Sequence, residues 1–299
     1  MVTGANGFIG QHCLESLIKQ NARVHAVSRS EKRESTLPGV IWHKCDLLSE
    51  DPYTLLQSIK ATHLLHLAWC TEHGAYWTSP LNESWLEASI QLVKSFHRAG
   101  GKRFVTAGTC AEYKWLGECQ EGVTPEEPSS PYGKSKKLFT EFLDSYRSQS
   151  GLSTGVGRVF HLYGPNEGSK RLMPIIINAL LTGKKAPCSA GTQLRDYMYV
   201  KDVAGALVAF LFSEVTGVVN ISTGLPVSIR DILGTIERLV GASGLIQYGV
   251  IPRGDSDPDL LYGSAERLNK EVGFTARYTL EEGLTESIQF IKSSLELNK

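Results

Sequence analysis

A tyrosine and a lysine four residues apart form a pair that can do acid–base chemistry. Tyr132 and Lys136 follow Ser130-Pro131, where serine is a good N-cap and proline suits the first helical turn. Residues four apart on a helix lie on the same face. The lysine ammonium is therefore expected to favour the phenolate and to lower the pKa of Tyr132 from about 10. Such a pair can give a proton to a carbonyl oxygen during reduction or remove one during oxidation.

A second pair with the same spacing, Tyr197 and Lys201, competes with the first. Residues 197–200, Tyr-Met-Tyr-Val, are typical of a strand, in which four residues span about 13 Å. Two side chains that far apart cannot act as one unit. The chain has eleven tyrosines, so one chance match is expected. We therefore assign the acid–base pair to Tyr132 and Lys136.

The chain opens with a glycine-rich run that indicates a phosphate site. The run is Thr3-Gly4-Ala5-Asn6-Gly7-Phe8-Ile9-Gly10. Glycines let the backbone approach a pyrophosphate, and the free N–H groups of a first helical turn point toward it. An apolar helical stripe and a strand pattern at 23–27 follow, so the context is turn, helix, strand. This context predicts a dinucleotide site.

The glycine spacing resembles the Thr-Gly-x-x-Gly-Phe-Ile-Gly fingerprint of extended short-chain dehydrogenases/reductases, the NAD-dependent epimerase/dehydratase family. The Tyr-x-x-x-Lys pair is the second signature of that family, in which the lysine also hydrogen-bonds the nicotinamide ribose. The third member is a Ser or Thr after an apolar strand, and Thr109 stands there, after the strand pattern at 103–107. Its hydroxyl is expected to hold the substrate carbonyl. The resemblance covers essentially the whole chain and implies a cofactor site at Gly4, Asn6, Gly7, Phe8, Ile9, Gly10, Tyr132 and Lys136.

The end of the second strand separates NAD from NADP in this family. An acidic residue there binds the ribose hydroxyls, whereas a basic one attracts a 2′-phosphate. This chain has Ser28 and Arg29, with no acid until Glu31. The pattern favours NADP(H), with NAD(H) still possible, and an Arg29 that stacks on adenine or faces solvent stays open.

Three further positions resemble the family's cofactor contacts. Asp46 and Leu47 resemble the pair that brackets adenine, and Ala68 resembles the small residue that lines the cofactor after the fourth strand. Trp69 departs from the common alanine at the next position and is expected to narrow the pocket.

Two arginines stand in contexts that resemble nucleotide-sugar enzymes. Arg195 opens a run similar to their Arg-Asp-x-x-x-Val-x-Asp-Val-Ala motif, and Arg253-Gly254-Asp255 is similar to their Arg-x-Gly-Asp loop. In those relatives both arginines contact the diphosphate, which suits a planar permanent cation. The alternative is structural pairing with Asp196 or Asp255.

The residues after Thr109 limit which reactions of this family the chain is expected to catalyse. Sugar 4,6-dehydratases carry Asp-Glu there, but this chain has Cys110 and Ala111, so the acid and base for water elimination are missing. Reductases of the fucose pathway that also epimerise place a cysteine at the position of Ala111, so Cys110 is expected only to line the substrate pocket. Residues 108–115 resemble 4-ketoreductases of deoxysugar and O-antigen pathways. His161 replaces a common asparagine before Leu-Tyr-Gly-Pro, so the sugar contacts are expected to differ.

Three functions stay open. The first is NADPH-dependent reduction of a nucleotide-linked 4-keto-6-deoxy sugar, and the second is an NAD-dependent 4-epimerase. Arg29 favours the reductase, because reductases use free NADPH. The third is a non-catalytic NADP(H)-sensing regulator, but such regulators usually lose the tyrosine or lysine that this chain keeps.

Composition excludes other classes. The chain has 299 residues, 41% of them hydrophobic and a net charge of zero, which is typical of a globular protein and argues against a nucleic-acid partner. The longest apolar run, at 173–181, is too short for a membrane span, and we see no signal peptide. Six scattered cysteines without a Cys-x-x-Cys motif predict a reduced, cytoplasmic protein without structural zinc. Since only two residues precede Thr3 in the first strand, we expect native residues before Met1.

Strand and helix patterns alternate through the first half. Strands are predicted at 23–27, 40–42, 63–68, 103–107, 154–160 and 218–221, and helices at 85–99 and 203–212. Alternation of this kind predicts an α/β fold, a Rossmann-type doubly wound parallel sheet with a small C-terminal substrate-binding domain. The resemblance assigns residues 1–162 and 194–222 to the NAD(P)-binding domain and 163–193 and 223–299 to the substrate-binding domain. It also implies a homodimer through the helices that hold residues 85–99 and 136–146.

Overall fold

The computed structural model describes residues 1–29, 37–254 and 257–297. Its strands are β1 Val2–Thr3, β2 Val24–Ser28, β3 Val40–Lys44, β4 His63–His66, β5 Arg103–Thr109, β6 Glu118–Cys119, β7 Ser153–Val159, β8 His161–Tyr163, β9 Ala186–Pro187, β10 Leu194–Arg195, β11 Tyr197–Tyr199, β12 Gly217–Ile221, β13 Val227–Ser228, β14 Ile246–Gln247 and β15 Leu260–Gly263. Its α-helices are α1 Phe8–Lys19, α2 Tyr53–Ile59, α3 Leu81–Arg98, α4 Pro131–Ser150, α5 Leu172–Leu181, α6 Val200–Phe212, α7 Ile229–Val240 and α8 Leu280–Leu297.

A seven-stranded sheet forms the centre of the molecule. Its strands run parallel in the order β12-β7-β5-β4-β1-β2-β3. The strand order reverses between β1 and β4, and ligands of such sheets bind in the crevice at that switch point, beyond the carboxyl ends of the strands. The predicted doubly wound parallel sheet is confirmed.

Helices cover both faces of this sheet, which is why its central strands are apolar on both sides. Side chains of α1 and α6 share one core with β1, β2 and β12. Side chains of α3 and α4 form a second core against β4 and β5. The helix predicted at 85–99 begins earlier than expected, at Leu81 directly after Pro80.

The later part of the chain builds a separate apolar core. Helices α5, α7 and α8 pack around β8 and β11, with Ile177, Ile232 and Leu284 buried between them. A four-stranded sheet, β13-β10-β15-β6, lies beside this core. Strand β10 at Leu194–Arg195 therefore pairs outside the large sheet, whereas β12 joins it. The division of the chain into two domains stays a prediction.

Within the described residues, no helix combines the length and the apolar character that crossing a membrane requires.

Candidate active site

The helix that carries Tyr132 is fixed at its first turn. The Ser130 hydroxyl accepts the Gly133 N–H at 3.1 Å, and Pro131 is the first helical residue, as the sequence predicts. A side chain on Gly133 would collide with the carbonyl oxygen of Ala111. The lack of a Cβ therefore lets α4 pack directly on the turn that follows β5.

Thr109 stands on the other side of that contact, as the last residue of β5. It caps the short 3₁₀ helix Cys110–Glu112: its hydroxyl accepts the Ala111 N–H at 3.2 Å, and Glu112 Oε1 accepts the Thr109 N–H at 2.8 Å. The Thr109 hydroxyl also lies close enough to the Tyr132 phenol to lower its pKa. The structure thus brings Thr109 and Tyr132 together, so both can reach one substrate oxygen.

Two aromatic residues from the loop after β4 pack against Tyr132. The rings of Tyr76 and Trp77 meet Tyr132 edge to face, with centroids 4.9 Å and 5.7 Å away. Arg171, just before α5, lies over the Tyr76 ring at 5.4 Å, and its charge favours a lower pKa of Tyr76. Sequence reasoning missed these residues, because they lie in loops without a periodic pattern. They close one side of the cleft with apolar rings and a cation.

The pKa of Tyr132 moves against the sequence-based expectation. Burial is the largest effect and raises this pKa, although the Thr109 hydroxyl opposes it. Lys136 was expected to lower it, but burial instead lowers the pKa of Lys136 itself to about 7. The Lys136 ammonium donates to the Ala107 carbonyl oxygen at 3.0 Å and lies 3.8 Å from the centroid of the Trp69 ring. Tyr132 is thus a protonated phenol at neutral pH, suited to giving a proton.

A buried ion pair supports the Thr109 turn from behind. Glu112 and Arg158 are both without solvent exposure, and Arg158 Nε donates to Glu112 Oε2 at 2.9 Å. The same oxygen accepts the Thr140 hydroxyl of α4 at 2.9 Å. Glu112 therefore joins β5, β7 and α4, and both of its oxygens are occupied.

The glycine-rich turn has the shape of a cradle for a phosphate. Gly4 has φ +67°, and a Cβ there would lie 2.6 Å from the Ala68 nitrogen. A Cβ on Gly10 would strike the Gly4 carbonyl oxygen. Helix α1 starts behind Gly7 without a side-chain cap, so its first N–H groups face the crevice beside β1. These residues fit a dinucleotide whose pyrophosphate lies on Gly4, Asn6, Gly7, Phe8, Ile9 and Gly10.

The neighbouring strand ends present the other predicted cofactor residues. Asn6 Nδ2 donates to the Ser28 hydroxyl at 2.8 Å, which ties the glycine turn to the end of β2. Arg29 follows with an exposed side chain, and Lys44 is the register partner of Ser28 on β3. Two basic residues therefore lie where a 2′-phosphate is expected; Ser30 and Glu31 lie outside the described residues.

The residues predicted to contact adenine lie next to the same strand ends. Asp46 Oδ1 accepts the Leu48 N–H at 3.1 Å, so the carboxylate shapes its own turn, and Leu47 is buried beside it. Ala68 lies against Gly4. Their contact with a cofactor stays a prediction.

The predicted substrate arginines converge on one carboxylate that sequence reasoning missed. Arg195 and Arg253 both ion-pair with Asp257, and Arg253 also pairs with Asp259 at 2.6 Å. Asp196 is no partner of Arg195; it accepts the backbone N–H groups of Thr223 and Gly224. Asp255 lies outside the described residues.

A cavity of about 400 Å³ opens beside this cluster. Apolar residues of α5 and of later loops form much of its wall, and Arg195, Asp257 and His161 line its polar side. Burial, and then Arg195, lower the pKa of His161 to about 4, so this imidazole is neutral at physiological pH. The cavity combines an apolar wall with an edge formed by the Arg195–Asp257 ion pair and a neutral imidazole.

The competing pair is not a catalytic unit. Tyr197 lies on β11, as predicted, and its ring packs against His161 at 5.2 Å. Lys201 lies on α6 and pairs with Glu286. Cys110 is buried behind the Thr109 turn, where burial raises the pKa of its thiol to about 12.

Comparison with known proteins agrees with this geometry. Residues 1–222 match the model of the NAD dependent epimerase/dehydratase family. The chain is 26% identical to CDP-abequose synthase of Salmonella typhimurium, with 97% of each chain covered. It is 25% identical to UDP-glucuronate 4-epimerase of Thermodesulfobacterium geofontis, covering 100% of this chain and 98% of that one.

The chain is also similar to solved structures. The UDP-glucose 4-epimerase of Thermus thermophilus in complex with NAD is 26% identical with a TM-score of 0.85, and 98% of each chain is covered. MoeE5 in complex with UDP-glucose and NAD is 30% identical with a TM-score of 0.83 at the same coverage. With its glycine cradle and its Thr-Tyr-Lys set, the chain belongs to the NAD dependent epimerase/dehydratase family and is an enzyme of the extended short-chain dehydrogenase/reductase class.

Proposed function

We propose that this enzyme reduces the 4-keto group of a nucleotide-linked 6-deoxy sugar, with NADPH as the cofactor. The observation that carries the proposal is the contact between the Thr109 hydroxyl and a Tyr132 phenol of raised pKa. Bound NADPH supplies the hydride. Thr109 orients the carbonyl oxygen, and Tyr132 gives it a proton as the alcohol forms.

The protonation state of Tyr132 favours reduction over epimerisation. An epimerase first removes a proton from a sugar hydroxyl, which needs a base at the tyrosine position. Burial raises the pKa of the Tyr132 phenol, which suits the first proton transfer of a reduction, donation to the carbonyl oxygen.

Dehydration is disfavoured by the same turn. Cys110 and Ala111 supply neither the acid nor the base of a dehydratase. Glu112 is the nearest carboxylate along the chain, but its oxygens bind the Thr109 N–H, Arg158 and Thr140. It is fully buried, and both of its oxygens already accept structural hydrogen bonds.

A nucleotide sugar suits the remaining part of the cleft. Arg195 lines the cavity, and Arg253 is held next to it by their shared partner Asp257. A planar guanidinium matches diphosphate oxygens. Similarity to CDP-abequose synthase supports a deoxysugar substrate. We propose a role in the synthesis of deoxysugars for surface polysaccharides or natural products.

An NAD-dependent 4-epimerase is the second candidate. It is favoured by the 26–30% identity to UDP-glucose 4-epimerase and to MoeE5, both solved with NAD. Arg29 and Lys44 at the ends of β2 and β3 argue for NADPH instead.

The deciding experiment incubates the protein with NADPH and a panel of CDP-, UDP- and dTDP-linked 4-keto-6-deoxy sugars, and analyses the products by NMR. We expect one NADPH oxidised for each 4-hydroxy sugar formed. Interconversion of 4-hydroxy epimers without net cofactor use would establish the epimerase instead. Binding of NADP(H) without turnover of any sugar in either assay would identify a sensor.

We also propose a cytoplasmic homodimer. The six cysteines are free thiols, as expected in a reducing compartment. Leu81 at the start of α3 and Leu138 on α4 are about half exposed, at 45% and 52%, and would be covered by a second copy packed on these helices. Light scattering during gel filtration tests the assembly, and Leu138→Glu should yield monomers.

A further inference from the structure

The indole of Trp69 is the closest aromatic face to the lysine of the catalytic set. The Lys136 ammonium lies 3.8 Å from the centroid of the Trp69 ring, well within the range of a cation–π contact. Both side chains are buried, at 6% and 9% exposure, so water does not screen this contact. Trp69 therefore faces the charge directly.

Asn82 fixes the position of the indole, and both the oxygen and the nitrogen of its side-chain amide form hydrogen bonds. Its Oδ1 accepts the Trp69 Nε1–H at 2.9 Å. Its Nδ2 donates to the carbonyl oxygens of Tyr76 and Ser79 at 2.8 and 2.9 Å. One buried side chain thus connects the indole beneath Lys136 to the loop that walls Tyr132.

The other groups around Lys136 stabilise its ammonium only weakly, so an additional stabilising contact matters. Burial disfavours the ammonium and lowers the pKa of Lys136, and Glu112 is the charged group that favours the ammonium. Glu112 is itself neutralised by Arg158 at 2.9 Å. His66, the other titratable neighbour, is neutral, because burial and the Lys136 charge lower its pKa to about 3.

We propose that Trp69 is a positioning residue that holds the Lys136 ammonium charged and in place through its indole face, with Asn82 as its anchor. The proposal rests on the proposed function and on the role that the family resemblance implies for Lys136, which is to bind the nicotinamide ribose beside Tyr132. In this role, Trp69 and Asn82 affect the reaction through Lys136 and not through contact with the substrate.

Titration of Lys136 in the free protein tests the electrostatic claim without any substrate. Protein labelled with ¹³C at lysine Cε is titrated by NMR, and the Lys136 signal is identified by its loss in Lys136→Met. A desolvated cation–π contact corresponds to a change of about thirtyfold in the acid dissociation constant. We expect Trp69→Leu to raise that constant about thirtyfold and Trp69→Phe to raise it less.

Two further samples separate electrostatics from packing. Trp85 stacks on Trp69 with ring centroids 6.3 Å apart, so Trp85→Leu removes a packing partner of the indole and should leave the Lys136 titration unchanged. Incorporation of 5-fluorotryptophan weakens the indole face with almost no change of shape and keeps the test available if Trp69→Leu does not fold. An unchanged Lys136 titration in the fluorinated protein and in Trp69→Leu would overturn the proposal.

Activity then tests the anchor. Asn82→Ala should lower kcat about tenfold and shift the alkaline limb of its pH profile in the same direction as Trp69→Leu. Asn220 is an equally buried asparagine that binds the Tyr113 hydroxyl and the Cys119 carbonyl, so Asn220→Ala should cost stability without moving that limb. Equal shifts in both variants would refute the anchor. If no sugar is reduced at all, the proposed function fails, while the NMR titration still decides the role of Trp69.

Discussion

The hydroxyl of Thr109 lies beside the phenol of Tyr132 across the contact between β5 and α4. Two hydrogen-bonding groups that contact the same substrate oxygen lower the barrier most when negative charge develops on that oxygen in the transition state. We expect Tyr132→Phe to lower kcat by about 10²–10⁴-fold, the usual contribution of a general acid, and to leave NADPH affinity within a few-fold. Stopped-flow turnover and cofactor titration measure the two effects.

Tyr197→Phe is the matched control for that variant. Tyr197 packs against His161 in the cavity wall and lies on β11, away from the Thr109 turn. The loss of activity in Tyr197→Phe should be far milder than in Tyr132→Phe. More than about a tenth of the original rate in Tyr132→Phe would remove the tyrosine from its catalytic role.

The choice of cofactor is predicted to depend on Arg29. Its exposed side chain follows Ser28 at the end of β2, so a carboxylate there would repel a 2′-phosphate. We expect the unmutated enzyme to prefer NADPH, and Arg29→Asp to abolish or invert the preference in kcat/KM. Equal efficiency with both cofactors before mutation would assign Arg29 another role.

Arg195 and Arg253 are predicted to act on substrate binding. A charge-assisted hydrogen bond to a buried diphosphate contributes about 1.5–3 kcal/mol, so removing either arginine should raise KM about ten- to a hundredfold. The kcat should change less, since contacts remote from the carbonyl stabilise ground and transition states alike. Steady-state kinetics of Arg195→Ala and Arg253→Ala measure this split. Unchanged KM in both would point to a smaller carbonyl substrate.

The buried pair of Glu112 and Arg158 should be critical for stability. Glu112→Gln removes the fully buried partner of Arg158 and leaves it only the partly exposed Glu126 at 2.7 Å, so the expected cost lies at the lower end of about 3–5 kcal/mol in the free energy of unfolding. Replacing Arg158 by Met in the same chain should recover part of this loss. Chemical denaturation measures both. The exposed pair of Lys114 and Glu127 is the control, and Glu127→Ala should cost about 1 kcal/mol or less.

Lys136 should reduce stability in a pH-dependent way. Its folded pKa of about 7 is below the ordinary 10.5, so between these values the unfolded chain binds more protons and stability rises with pH. Below pH 7 the cost of the buried ammonium is fully present. Lys136→Met should therefore raise Tm most at pH 6, with a gain that shrinks toward pH 10. A gain independent of pH would show that packing, and not charge, is responsible.

Local features of the sequence were enough to predict the scaffold of the site. The glycine spacing before α1 needs only a close backbone approach, and Ser130-Pro131 needs only a helix start. Both are properties of neighbouring residues, and the structure has both. The alternation of strands and helices likewise predicted the parallel sheet, because each pattern is a local periodicity.

Features that depend on tertiary burial escaped prediction. The pKa of Tyr132 was expected to fall, because helix spacing shows that Lys136 is near but not how much water both side chains lose. Asp257 was missed as the shared partner of Arg195 and Arg253, since no spacing links the three. Trp69 was expected to narrow the cofactor pocket, and only the packed structure brings it to Lys136.

Because Gly133 contacts Ala111, neighbouring positions at the start of α4 should differ sharply in the substitutions that they tolerate. Adding one methyl group at Gly133 would push α4 away from the turn and separate Tyr132 from Thr109, although glycine offers no functional group. Lys134, the next residue, is exposed and free to vary. A scan of every substitution along this helix should therefore find position 133 nearly as intolerant as the tyrosine beside it.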